Sequence, residues 1–311
     1  MAAVTASPHR TSSSWLAWYF VVVWGSGFLA TKVGLQYAPP LTFLTLRFAF
    51  GMLLVIPIAL AMRPRWPGSV SQWLHVAAAG LLMHAVNLGG SHYAQYLGMS
   101  AGITALVLAL QPLVTAMVAG PFIGERLNRL QWIGVFLGFA GVALVVWHKI
   151  DLDAMSAASL AAVLISLAAI TVGTLYQRIF CPAVDLRAAS VVQFAATLLL
   201  VAPLALAVEG FRFEVSWQLL AAIGFLVFFA SIFAVNALHT LMRRGEATRV
   251  TSLLYLTPII AVGLEWLMFG IYPTWLTALG VAITCAGVAL VALKLRDKSE
   301  LQEAELPRSA L

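Results

Sequence analysis

Three ionisable side chains, Lys32, Arg47 and Glu265, stand inside long apolar runs of the sequence. A charge held in hydrocarbon costs a few kcal/mol or more unless it is paired, hydrated or answered by a ligand, so each is a candidate for function. One acid with two bases permits a Glu265–Lys32 or a Glu265–Arg47 clamp. A base left over either snorkels to the interface or meets a charged solute.

Uncharged polar residues recur at helical spacing. His84, Asn87, Ser91 and Gln95 fall at i, i+3, i+7 and i+11, which places them on one stripe of a helix. Thr251, Tyr255, Pro258, Val262 and Glu265 repeat that progression, Thr104, Gln111 and Thr115 surround Pro112, and Asn236 and His239 lie in a further run. Such stripes are costly against lipid, so they should face a shared hydrated interior or one another. In a lumen, His84, Asn87, Ser91, Gln111, Asn236 and Tyr255 would hydrogen-bond a solute, and Trp24 and Tyr255 would stack on it or shape its site. As glue between helices the same residues would need the same pattern. His84 can carry a proton, but no paired Asp or Glu accompanies it, so proton coupling and facilitated diffusion both stay open.

Catalysis finds no foothold. There is no zinc spacing, phosphate loop or nucleophile elbow. Cys181 and Cys285 provide no disulfide framework and read as free thiols. No catalytic residue, metal or cofactor is expected.

The elements that must hold these side chains follow from composition. The chain has 311 residues, 62% apolar and 10% charged, too little polar surface to cover a core in water. Lipid must be the solvent for most of it, which excludes a soluble enzyme and a disordered chain. Ten apolar runs, near 15–35, 41–62, 73–96, 101–122, 130–148, 157–178, 188–208, 217–240, 250–269 and 274–293, are mostly long enough as helices to cross a bilayer. The spacing predicts an all-α membrane protein of ten transmembrane helices.

The net charge of +6 is topological. With the N-terminus inside, fourteen of the eighteen basic residues fall in inner segments, and only Lys149 and Arg212 fall in outer loops. That bias places both termini in the cytoplasm. It also removes the nucleic-acid reading of the positive charge. On this orientation Lys32, Arg47 and Glu265 all lie in the outer half.

A shift of 146 residues lays Leu108–Val145 over Leu254–Val291 without a gap. Pro112 meets Pro258, Gly134 meets Gly280, and Ala140–Val145 meets an identical run, Ala286–Val291. Two repeats of five spans, an odd number, enter the membrane with opposite topology, as secondary transporters commonly do. Residues 1–14 form an N-terminal tail, 15–148 and 157–293 the two repeats, 149–156 an external linker and 294–311 a C-terminal tail. Pro112 and Pro258 stand at equivalent positions and would let their spans bend, as hinges.

Several local motifs add to this pattern. They are Trp24-Gly25-Ser26-Gly27-Phe28, Arg47-Phe48, Gly124-Glu125-Arg126-Leu127, Arg244-Gly245-Glu246-Ala247 and Leu256-Thr257-Pro258. In this order over residues 15 to 293 the chain resembles the drug/metabolite transporter superfamily, in its EamA-type ten-helix branch, and is most similar to the YddG-like amino-acid exporters. The resemblance implies export of small metabolites, amino acids first, by alternating access, with a lumen walled by spans one, three, four, six, eight and nine and with spans five and ten peripheral. The expected partners are a small-molecule solute and membrane lipid, with no nucleic acid, and a monomer is compatible with the pattern. The other reading is a passive channel or facilitator for small polar solutes.

Overall fold

A computed structural model describes residues 10–123, 127–151, 155–182, 184–233 and 256–305. Among these the chain is helical throughout, with no strand. The first span is α1 (Arg10–Gly34) and the second α2 (Pro40–Met62). The third joins α3 (Val70–Gly80) to α4 (Asn87–Tyr96) through a π-helical segment, Leu81–Val86. The fourth is split into α5 (Ala101–Leu108) and α6 (Gln111–Ile123), and the fifth is α7 (Arg129–Asp151).

The second half repeats this order. It comprises α8 (Ala157–Phe180), then α9 (Leu186–Leu204) with a π-helical end, Ala205–Glu209. Next come α10 (Trp217–Gly224) with a π-helical continuation, Phe225–Phe233, then α11 (Thr257–Phe269) and α12 (Trp275–Glu305). Helices beginning at Pro40, Gln111 and Arg129 have counterparts beginning at Leu186, Thr257 and Trp275, each 146 residues on. The repeat seen in one block of sequence therefore recurs in span after span.

Five described segments are long and apolar enough to cross a membrane by length and composition: Pro40–Met62, Ala101–Val118, Arg129–His148, Ala157–Phe180 and Leu186–Glu209. Shorter apolar helices cover Trp217–Phe229, Thr257–Phe269 and Trp275–Val291. The third span is not among them because α4, Asn-Leu-Gly-Gly-Ser-His-Tyr-Ala-Gln-Tyr, is largely polar or small. At the C-terminus α12 runs on through charged residues that the sequence assigned to a tail. Lys, Arg, Glu, Leu and Gln are all good helix formers, so nothing stops the helix where the apolar run ends.

Equivalent spans pack on one another: α7 on α12, α2 on α9, and α5 on α11. The third span packs on α8, and the eighth on α1, so that one contact is the repeat image of the other. This is the pattern of a pseudo-two-fold axis between two inverted repeats.

Spans five and ten show why glycine is needed. A Cβ at Gly134 would stand 2.6 Å from the Gly287 carbonyl oxygen, and one at Gly141 would stand 2.6 Å from that of Gly280. The two contacts exchange under the 146-residue shift. Between them Thr284 Oγ1 donates to the carbonyl of its own equivalent, Gly138, at 3.4 Å. Close backbone approach of small residues is how helices associate in lipid, where no hydrophobic force drives them together. Gly141→Val is expected to destabilise the protein by about 1–3 kcal/mol through overpacking, and Gly287→Val likewise. Chemical unfolding of the purified protein in detergent measures both.

Candidate functional site

Ionised groups meet at the end of the bundle where α1 finishes and α2 begins. Lys32 Nζ donates to Glu265 Oε1 at 2.6 Å and stands 4.6 Å from the centroid of the Phe269 ring. The buried Glu265 carboxylate also accepts the backbone N–H groups of Ala101 and Gly102, each at 3.0 Å. A helix leaves its first four N–H groups without intrahelical partners. At α5 the next is answered too, because Ile103 N–H donates to Ser100 Oγ, and Thr104 N–H then makes the first intrahelical bond, to the Ser100 carbonyl. Gly102 permits the approach: a Cβ there would stand 3.1 Å from Glu265 Oε2. One carboxylate thus ties spans one, four and nine, and of the two sequence alternatives Lys32 is its partner.

A second carboxylate does the same for α2. Glu209 accepts Leu41 N–H at 2.9 Å, Thr42 N–H at 2.7 Å, the Thr42 hydroxyl at 2.8 Å and the Tyr93 hydroxyl at 3.1 Å. Pro40 has no N–H, and Phe43 N–H donates to the Pro39 carbonyl, so this helix start is also complete. Glu209 escaped the sequence reading because it lies just past an apolar run and looks like a loop acid. The signal that could have found it is the need of a Pro-started helix for a cap. Each clamp joins a span to its own repeat equivalent, nine to four and seven to two. The positions 146 residues before Glu265 and Glu209 are Ala119 and Arg63, so neither clamp has an acidic counterpart in the first repeat.

Deeper in the bundle the polar stripe of the third span divides. The π-helical segment adds residues to a turn and so rotates α4 relative to α3. His84 therefore looks toward spans two and seven: Nε2 lies 3.4 Å from Gln193 Oε1, and the ring packs against Phe48 and Phe194 with centroids 5.5 and 5.4 Å away. Gln193 Nε2 donates in turn to Gln177 Oε1 at 3.1 Å. Gly80, one turn before His84, makes room, since a Cβ there would be 2.6 Å from Gln193 Cα.

Asn87 turns to span six, where its side-chain and backbone oxygens both accept from the buried Ser166 hydroxyl, at 2.8 and 2.6 Å. Its amide donates to the Met83 carbonyl, and Ser91 Oγ donates to that of Leu88. Asn87 thus ties span three to span six, as interhelical glue does, while Ser91 spends its hydroxyl on its own helix. Arg47, on α2, is half-buried and adjoins Phe48, whose ring packs on His84. Spans two and seven, left out of the expected lumen wall, carry the groups nearest His84.

Among the other sequence-selected residues, Gln111 is the first residue of α6 and half-buried, and Trp24 is exposed with its ring 5.5 Å from that of Phe20. Gly25 beside it lets α1 close on α11, a Cβ there meeting Ile260 at 3.0 Å and the Thr257 carbonyl at 3.3 Å. Tyr255 and Asn236 lie outside the described residues. Pro112 and Pro258 are each the second residue of a helix, α6 and α11. A proline is tolerated there because its missing N–H has no partner to lose. The expected bend in span four is therefore a full break at Ala109–Leu110 between two half-helices. Neither Cys181 nor Cys285 is in a disulfide, and partial burial pushes the Cys181 thiol above its ordinary value.

Two crevices of about 310 Å³ lie elsewhere. One is on the loops around Tyr37 and Arg212, the other on the apolar face between α2 and α10, and neither reaches His84.

The model of the EamA-like transporter family matches residues 11–147 and again 157–293. The chain belongs to that family. Its two matches stand 146 residues apart, the offset of the helices themselves. Named relatives agree on transport. The chain is 29% identical over 265 residues to "Uncharacterized inner membrane transporter YedA" of Escherichia coli K12, covering 80% of this chain and 84% of that one. It is 28% identical over 293 residues to the "Probable amino-acid metabolite efflux pump" of the same strain, covering 90% and 95%. A solved crystal structure superimposes with a TM-score of 0.63 at 20% identity, covering 92% of this chain and 99% of that one, which shows a shared fold. This EamA-family chain is a multi-pass membrane transporter.

Proposed function

We propose that this transporter is a secondary carrier of the cytoplasmic membrane, with both termini inside, that exports small metabolites, amino acids first, by alternating access between its inverted repeats. The observation that carries the reading is the pair of carboxylate clamps, which among the described residues stand at one end of the bundle only. Glu265 and Glu209 each lock a span to its repeat equivalent at the end where α1 finishes, and the charge distribution makes that end the outside. With both clamps closed the outer path is shut. Release of the clamps, with rocking of one repeat on the other, is the reciprocal step of alternating access. His84 and Gln111 are the polar groups best placed for a solute, with Trp24 as an aromatic wall. Tyr255 and Asn236 complete the proposed contact set, Asn87 and Ser91 join it by exchanging their internal hydrogen bonds for the solute, and Pro112 and Pro258 act as hinges. The named efflux relatives support the outward direction and the amino-acid class.

Counterflow in proteoliposomes tests it. Vesicles preloaded with unlabelled amino acid should accumulate labelled amino acid transiently, whereas a passive pore gives no acceleration. A reporter fused after Arg308 should be cytoplasmic and one inserted near Asp151 external. The reverse result would overturn the orientation.

A further inference from the structure

The geometry points to Arg47 as the anion-binding residue of the transport site, and to a solute that brings one carboxylate. This rests on the transporter reading and names the charge its solute must carry.

Among the described residues Arg47 has no hydrogen-bond or ion-pair partner. The acids that sequence or structure could offer it are spent elsewhere: Glu265 on Lys32 and the start of α5, Glu209 on the start of α2 and Tyr93. Arg47 is seven residues into α2, about 10 Å below its start, too deep for a surface charge. A guanidinium does not deprotonate in proteins, so its charge must be met by water or by an anion.

The place of this charge is set by the repeat. Gln193 stands 146 residues after Arg47 and is its equivalent on α9. Gln193 stands 3.4 Å from His84, and Phe48, next to Arg47 on α2, packs its ring 5.5 Å from the His84 ring. Inverted-repeat transporters bind their solutes near the midplane where the repeats meet, and Arg47 and Gln193, each seven residues into its own span, flank that midplane from opposite sides. The pair is asymmetric, one cation against one neutral amide, so the site carries a single uncompensated positive charge. Its neighbours His84, Gln193 and Gln177 supply hydrogen bonds without negative charge. A guanidinium fork matches the two oxygens of a carboxylate. A phosphate dianion would leave one negative charge unanswered in a low-dielectric interior, so the monoanion is the class that fits.

The test uses the purified full-length protein in detergent and reads its thermal midpoint against sodium butyrate and sodium phenylacetate, with the matching amides and with sodium chloride at equal ionic strength. Carboxylates should raise the wild-type midpoint and the amides should not. Arg47→Met should erase the response. Arg47→Lys, which keeps the charge and loses the fork, should bind carboxylate at least about tenfold more weakly. Equal responses to acid and amide, an equal response to chloride, or a wild-type response in either variant would overturn the proposal. Carboxylate binding without amino-acid counterflow would reject the amino-acid reading and leave this one standing. Counterflow that keeps its preference for free acids over amides in Arg47→Met would reject only this one.

Discussion

Replacing Glu265 by Gln is expected to cost about 3–5 kcal/mol of folding stability, because it strands the Lys32 ammonium in a partly buried site. Lys32→Met should cost a similar amount by stranding the carboxylate, softened by the two backbone N–H groups that still hold it. Removing both charges together should be milder than the sum, because desolvation of the stranded partner is the larger part of each single loss. A double-mutant cycle read by chemical unfolding measures the coupling. The same cycle with Arg47→Met should be additive, because Arg47 shares no contact with Glu265. A coupling that appears with Arg47 and vanishes with Lys32 would overturn the clamp. Loss of the clamp should also expose the outer path, so a cysteine in place of the buried Thr31 should react faster with a membrane-impermeant maleimide in Glu265→Gln than in the parent.

Pro112→Ala is expected to slow turnover by about tenfold while changing solute affinity far less, a bias between conformations of about 1.4 kcal/mol. Between α5 and α6 the helix is broken at Ala109–Leu110. The proline ring keeps the Leu108 carbonyl from an N–H four residues on. With alanine, position 112 gains that donor and can fuse the two half-helices into one. No solute contact is removed, so binding should survive. Pro258→Ala should act in the same sense, since Pro258 is the repeat equivalent and holds the same second position in α11. Turnover in proteoliposomes and affinity in detergent, measured on both variants, decide the matter. Unchanged turnover in well-folded protein would show that the prolines are not the moving parts.

Much of the molecule is legible in its residues alone. Hydropathy and length locate the spans, because a backbone in lipid must satisfy its own hydrogen bonds and the helix does so within one segment. The 146-residue shift reveals the repeat because close helix crossings demand glycine at fixed places, and Gly134, Gly141, Gly280 and Gly287 keep them. That an acid inside a span should take a base is also readable from charge alone.

Three features depend on tertiary structure, each for a physical reason. Which base Glu265 takes is set by α1 lying against α11 and α5, a packing relation between residues 233 positions apart. Glu209 acquires its role only when the end of span seven meets the Pro40 helix start, since nothing local to residue 209 announces a distant helix in need of a cap. The stripe of His84, Asn87, Ser91 and Gln95 presumes a regular 3.6-residue period. The π-helical segment at Leu81–Val86 breaks that period, sending His84 to spans two and seven and Asn87 to span six. Sequence determines what is local, namely apolar length, helix period, and the residue types that caps and crossings require. Pairing of charges and the direction a polar face takes are decided by which helices the fold brings together, because those energies belong to contacts between segments.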